Sequence, residues 1–232
     1  MRKALLLARR EIIEQYSDRG AVLRALFFVA LPVGLLVLNR GNGRSPDALI
    51  LIFALQAALL PTATAINAAA GSFAAEKEAQ TLVPLLAAPI RDIDIVAGKL
   101  IGVLAPAAGL SIISLTAFYV AASALFGQDR IAHLLVPATL YGLFALAVFF
   151  ILTVGAWVMV VSARVGSQRT AQQIAGFVLA GMIVLLSAIG SAFQNVSLEL
   201  VLGIVIVVLV SDLIALELAR RFWNREEAVA RL

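Results

Sequence analysis

Chemistry needs particular side chains at particular spacings, and few sites in this sequence offer them. Gly109-Leu110-Ser111 forms a Gly-x-Ser, the pattern of a nucleophilic serine. A serine nucleophile needs a base within hydrogen-bond reach. The sequence holds one histidine, His133, and it falls in a loop at the edge of an apolar segment. Ser111 therefore reads as a packing residue. Gly98-Lys99 is the only Gly-Lys pair, but it lacks the upstream glycine of a phosphate-binding loop, and Leu100 follows where Ser or Thr is required. This chain does not hydrolyse ATP by itself. Cysteine is absent, which excludes disulfides, thiolate metal sites and a cysteine nucleophile. No metal site is expected, and no catalytic constellation is found.

The remaining candidates are polar residues inside apolar runs. Asp212 stands alone in such a run, a default functional suspect in a membrane protein. Glu217 can pair with Arg220 or Arg221, and Arg24 can reach a headgroup layer. Gln56, Thr64 and Asn67 share one apolar segment with Pro61 among them. At about 100° per residue, Gln56 and Asn67 lie about 20° apart on an unbroken helix, so they would share a face. Ser111, Ser114 and Thr116 lie on the next segment, which opens with the small-residue spacing Gly98–Gly102. Such faces line a translocation pathway or pack helix against helix. They are mostly apolar with scattered hydroxyls and amides, which suits an amphipathic or lipid-like cargo better than a highly charged one.

The elements that position these residues follow from composition. Of the 232 residues, 62% are hydrophobic and 14% charged, with mean hydropathy +1.01. A soluble domain has about 25% charged residues. The chain reads as an all-α integral membrane protein, a single transmembrane domain over 1–232. At about 20 residues per crossing, six spans fit: 22–38, 48–70, 99–126, 134–161, 173–192 and 199–219. The apolar runs are continuous, which favours helices over a barrel.

Fifteen of the eighteen basic residues fall at the N-terminus, in 71–99, in 162–172 and in the tail; Arg40, Arg44 and Arg130 fall on the other side. This bias puts both termini in the cytoplasm. The net charge of +4 is thus a signal of topology and not of nucleic-acid binding. Residues 1–20 read as an amphipathic helix in the headgroup layer, with Leu5, Ala8, Ile12 and Tyr16 recurring near helical spacing. Residues 71–98 form the longest polar segment, charged at Glu76, Lys77 and Glu78 and then semi-apolar with Pro84 and Pro89. Neither spanning nor freely soluble, it reads as a docking surface for another protein. The external loops, about 39–47, 127–133 and 193–198, are too short to fold alone. Whether 182–198 re-enters the membrane is left open by the sequence.

The run Glu76-Lys-Glu-Ala-Gln-Thr-Leu-Val-Pro-Leu-Leu-Ala-Ala-Pro89, followed by Gly98-Lys99, resembles the cytoplasmic signature of ABC type-2 permeases, the membrane subunits of ATP-powered exporters. Gln80 stands where that family usually has Gly, and Val83 where it usually has Glu. Ala8-Arg-Arg-Glu11 resembles the family's N-terminal connecting helix, and Ala219–Glu226 its usual tail. The resemblance implies a cytoplasmic coupling helix between spans two and three, seated on a separate ABC ATPase subunit that binds ATP and Mg2+. Glu76, Lys77 and Glu78 would give charged contacts to it, and Thr81, Leu82, Leu85 and Leu86 apolar ones. It further implies export, a second permease copy or a paralogue, and a bacterial or archaeal plasma membrane. A haem-exporter permease of cytochrome c maturation is similar in length and span count. Two other classes compete: an ion-gradient-driven carrier using Asp212, and a membrane scaffold that binds an ATPase but moves nothing.

Overall fold

A computed structural model describes residues 2–17, 19–41, 45–78, 91–177, 206, 209–215 and 217–218. Among them the regular structure is entirely helical: α1 (Arg2–Ser17), α2 (Arg19–Asn39), α3 (Pro46–Leu59), α4 (Thr62–Glu78), α5 (Asp92–Phe126), α6 (Gln128–Leu134) and α7 (Pro137–Arg164), with further helix at 168–177 and 209–215. Four stretches are long and apolar enough to cross a membrane: Arg19–Asn39, Pro46–Glu76, Asp94–Phe126 and Pro137–Arg164. They overlap the first four spans expected from the sequence. Most of the fifth and sixth spans, the possible re-entrant 182–198 and the segment 79–90 lie outside the described residues.

Local sequence sets the breaks. Pro46 opens α3 at a position whose N–H has no helical partner, and Asp47 sits in its first turn where the helix dipole favours an acid. Pro61 has no N–H to donate, so α3 closes with Leu60 N–H on the Gln56 carbonyl (2.8 Å). Thr64 then donates both its N–H (3.0 Å) and its hydroxyl (2.7 Å) to the Pro61 carbonyl, in the first turn of the next helix. The count from Gln56 to Asn67 assumed an unbroken helix; the turn at 60–61 interrupts it, so their shared face does not follow. Gly127, at φ 91°, separates α5 from α6 in a conformation that costs a side chain about 1–2 kcal/mol. At 35 residues α5 is about 52 Å long, well beyond a hydrocarbon core of about 30 Å. Helix therefore continues through 92–98, which sequence reading had assigned to the polar segment.

The chain divides into two compact units. One takes in the described residues of 1–9, 66–102 and 152–232; the other those of 10–65 and 103–151. The core of the second unit interleaves small and large side chains. Ala54, Ala57 and Ala58 of α3 are fully buried, as are Phe118 and Ala122 of α5, Ile131 of α6 and Ala147 of α7. Small residues let helix backbones approach, and inside a bilayer that packing replaces the hydrophobic effect as the source of association. Arg130 pairs with Asp47 at 3.0 Å, and the Arg40 guanidinium lies 5.7 Å from the centre of the Phe126 ring. In the first unit Ala156 and Val160 of α7 pack with Ala215, flanked by Trp157 and Leu218.

In α1 the buried positions are Ala4 and Ala8, one turn apart. Leu5 and Tyr16, expected on a common apolar face with Ala8, are more than 45% exposed, as are Leu6 and Ile13. Ala4 and Ala8 of this helix face protein, and Leu5, Leu6, Ile13 and Tyr16 project outward.

Candidate functional site

The first unit gathers the charged residues that flank the 79–90 segment. Segment 79–90 leaves from the end of α4 and returns at Arg91 to start α5. Lys99 lies two turns into α5 and is 1% exposed. Its ammonium is 2.9 Å from a Glu76 carboxylate oxygen, donates to the Ser72 carbonyl, and sits 5.1 Å from the centre of the Phe73 ring. All three partners are on one side of the last turns of α4, Ser72 and Phe73 lying four and three residues before Glu76, the spacings that align residues along a helix. A buried ammonium without partners would cost several kcal/mol, and here a carboxylate, a carbonyl and a ring face surround it. Lys99 thus ties the start of α5 to the end of α4, on either side of the 79–90 segment.

Gly98, the residue before it, meets the N-terminal helix. A Cβ at this position would lie 2.8 Å from the Ala4 carbonyl oxygen and 2.9 Å from Leu7 Cβ, closer than real side chains approach. Glycine is required because the backbone of α1 rests directly on α5. The Gly98-Lys99 pair has two tasks: the glycine admits α1, and the lysine holds α4.

A serine that sequence reading did not single out joins α7 to the same place. Ser162 is fully buried, and its hydroxyl makes three backbone contacts in one turn of α4. It donates to the Ala70 carbonyl (2.7 Å) and accepts from the N–H groups of Phe73 (3.2 Å) and Ala74 (3.0 Å). Beyond α7, the Gln168 N–H donates to the Glu78 carboxylate (3.1 Å). A serine two residues from the end of an apolar helix carries no periodicity signal, and its contacts are about 90 residues away in sequence.

The docking residues expected from the sequence thus divide. Glu76 is mostly buried and engaged with Lys99. Glu78 is exposed and holds Gln168. Lys77 is helical, and its side chain is outside the described set, as are Thr81, Leu82, Leu85 and Leu86.

The expected pathway residues belong to both units: Gln56, Thr64, Ser111 and Ser114 to the second, Asn67 and Asp212 to the first. Ser111 is fully buried and donates to the Ala58 carbonyl (2.9 Å), a helix-packing contact within the second unit, while His133 is exposed on α6. Ser114 is fully buried, with no hydrogen-bond partner for its hydroxyl among the described residues. Gln56 and Asn67 are half-buried. Asp212 is 2% exposed and accepts from the Thr153 hydroxyl (3.0 Å); next to it Trp157 Nε1 donates to Ser211 (3.1 Å). A cavity of about 690 Å3 in the second unit is lined by Ile112, Leu115, Thr116, Tyr119, Leu140 and Phe144 among others. Of the polar residues read from sequence, Thr116 reaches it. No three His, Asp or Glu side chains converge as a metal site among the described residues.

The helices, the clamped flanks of 79–90 and the Gly98-Lys99 pair occur in a chain whose residues 7–204 match the family model described as ABC-2 family transporter protein. The chain belongs to the ABC-2 transporter family. Among curated proteins, none matches it. As an ABC-2 family membrane protein it is a multi-pass helical chain of the permease type.

Proposed function

We infer that this chain is the transmembrane permease subunit of an ABC-type exporter, powered by a separate cytoplasmic ATPase subunit and completed by a second copy or a paralogue. Six spans with both termini cytoplasmic, and α1 lying in the headgroup layer through Leu5, Leu6, Ile13 and Tyr16, belong to this reading. The observation that carries it is the clamp at the flanks of 79–90. A polar segment used only as a connector has no need of a buried lysine, a buried glutamate and a glycine fitted to a third helix. A segment that receives force does, because displacement at its tip reaches the spans only through stiff flanks. On this reading 79–90 is the coupling helix. Thr81, Leu82, Leu85 and Leu86 with Lys77 and Glu78 meet the ATPase, and Glu76 serves mainly to hold Lys99. ATP and Mg2+ bind the partner, whose closing pushes the segment and switches access across the membrane.

The test is a tagged purification from membranes in mild detergent, with co-purifying proteins identified and ATP hydrolysis assayed. A stoichiometric ABC ATPase, lost in Glu78→Lys and Leu85→Asp variants that still express, is the expected result. A chain that purifies alone and shows no ATPase partner overturns it. Asp212 supports one other reading. An immersed acid bonded to Thr153 fits a carrier driven by an ion gradient, and Asp212→Asn would then abolish transport with no ATPase present.

A further inference from the structure

Ser162 is a buried polar group that neither the docking contacts nor the Lys99 clamp uses. Its hydroxyl is both donor and acceptor, and all of that capacity is spent on one turn of α4: Ala70 C=O, Phe73 N–H and Ala74 N–H. That turn of α4 is one where the helix can bend on its own account, because its own residues weaken the i→i−4 ladder. The turn in question contains Gly71, and Ser72 donates to Ala69 C=O (2.6 Å). Immediately beyond it come Glu76 and Glu78. Intrinsically, then, α4 is weak at 69–74, just before the charged end that meets the 79–90 segment. A push on that end would bend the weak turn and dissipate there.

The surroundings oppose such bending. Lys99 fixes the Ser72 carbonyl and Glu76 from the α5 side, and Ser162 fixes Ala70, Phe73 and Ala74 from the α7 side. Gln168 adds a contact at each end of the stretch. Its N–H bonds Glu78, and its side-chain amide lies where a Cβ on Gly71 would meet it at 3.1 Å. We propose that Ser162 is a positioning residue for coupling: it welds α7 to the weak turn of α4, so that the end of α4, the start of α5 and residues 162–168 move as one lever. The proposal rests on the exporter reading for its purpose, but the weld is a property of this chain alone. Movement of the coupling segment then reaches α7, and with it the Thr153–Asp212 contact about two and a half turns along the same helix, without passing through the earlier turns of α4.

Hydrogen–deuterium exchange of the full chain in lipid nanodiscs tests the weld directly, since two of the bonds to Ser162 come from amide protons. In Ser162→Ala, exchange in 70–78 and 164–168 is expected to rise by roughly tenfold, the factor for about 1.4 kcal/mol of lost bonding. Peptides from 46–58 and 103–151 should stay within about twofold. Ser162→Thr, which keeps the hydroxyl, should return 70–78 toward the original rate. Unchanged exchange at 70–78 overturns the proposal. So does an increase spread evenly over 46–58 and 103–151, which would make Ser162 a general support of the fold. A second arm uses a Gly71→Cys, Gln168→Cys pair, which has no background because the chain has no cysteine. Bridging by a short bifunctional thiol reagent should proceed at the same rate, within about twofold, with and without trapped nucleotide on the co-purified ATPase. A nucleotide-dependent change of tenfold or more shows the parts separating and overturns the single lever. If no ATPase co-purifies, the exporter reading fails by itself, and the exchange arm still decides on Ser162.

Discussion

Removing one charge from the Lys99–Glu76 pair should damage this protein far more than removing both. Lys99 is 1% exposed and Glu76 16%, so both are largely out of water, and the pair is closed at 2.9 Å. Lys99→Met leaves the Glu76 carboxylate without this cation and removes the ammonium from the Ser72 carbonyl. Breaking a buried pair from one side costs about 3–5 kcal/mol. For a chain of this size each kcal/mol moves a thermal midpoint by about 2–4 °C, so the single variant should lose on the order of 10 °C. Glu76→Gln should lose somewhat less, because the ammonium keeps the Ser72 carbonyl and the Phe73 ring. The double variant Lys99→Met/Glu76→Gln buries no charge and should lie within about 2 kcal/mol of the original protein, giving a coupling energy of at least about 3 kcal/mol. The assay is the fraction of monodisperse protein left after heating, followed by fluorescence-detected size exclusion in one detergent. If the losses of the two single variants simply add in the double, the residues do not act as a pair and the clamp is refuted. A Lys99→Met midpoint within about 2 °C of the original would refute it as directly.

The other expectations are simpler. Gly98→Ala should cost about 1–3 kcal/mol by forcing α1 off α5, whereas Gly34→Ala, with nothing within 4 Å of its Cβ, should be neutral or slightly stabilising; the same heating assay compares them. Thr153→Val should weaken the packing of 209–215 by about 1 kcal/mol, read as faster exchange there, while Ser111→Ala should cost a similar amount and leave the intact protein as unreactive to serine-directed fluorophosphonate as before. Single cysteines at 45 and 130 should react with an impermeant maleimide from outside whole cells, and cysteines at 78 and 168 only after the cells are opened; the reverse pattern would invert the topology read from the basic residues.

The sequence by itself determined what depends on sums and runs. Apolar length set four of the spans, charge asymmetry set the expected sides, and the spacing from Glu76 through Pro89 to Lys99 pointed to the family. Pro61 was visible too, but counting through it from Gln56 to Asn67 needs one unbroken helix, and there is a turn at 60–61. Tertiary structure decided which side chain meets which. Glu76 reads as a surface charge in a row with Lys77 and Glu78, and only the fold turns it inward onto Lys99. Gly98 reads as half of a common small-residue motif, and only the Ala4 carbonyl 2.8 Å from its missing Cβ shows why no other residue fits. Ser162 carried no signal at all, because a hydroxyl reports nothing about its partner until a turn of helix some 90 residues earlier in the chain is brought against it. Hydropathy and charge are local or additive along the chain. A clamp is a coincidence of three helices in space, and its meaning exists only once they are packed.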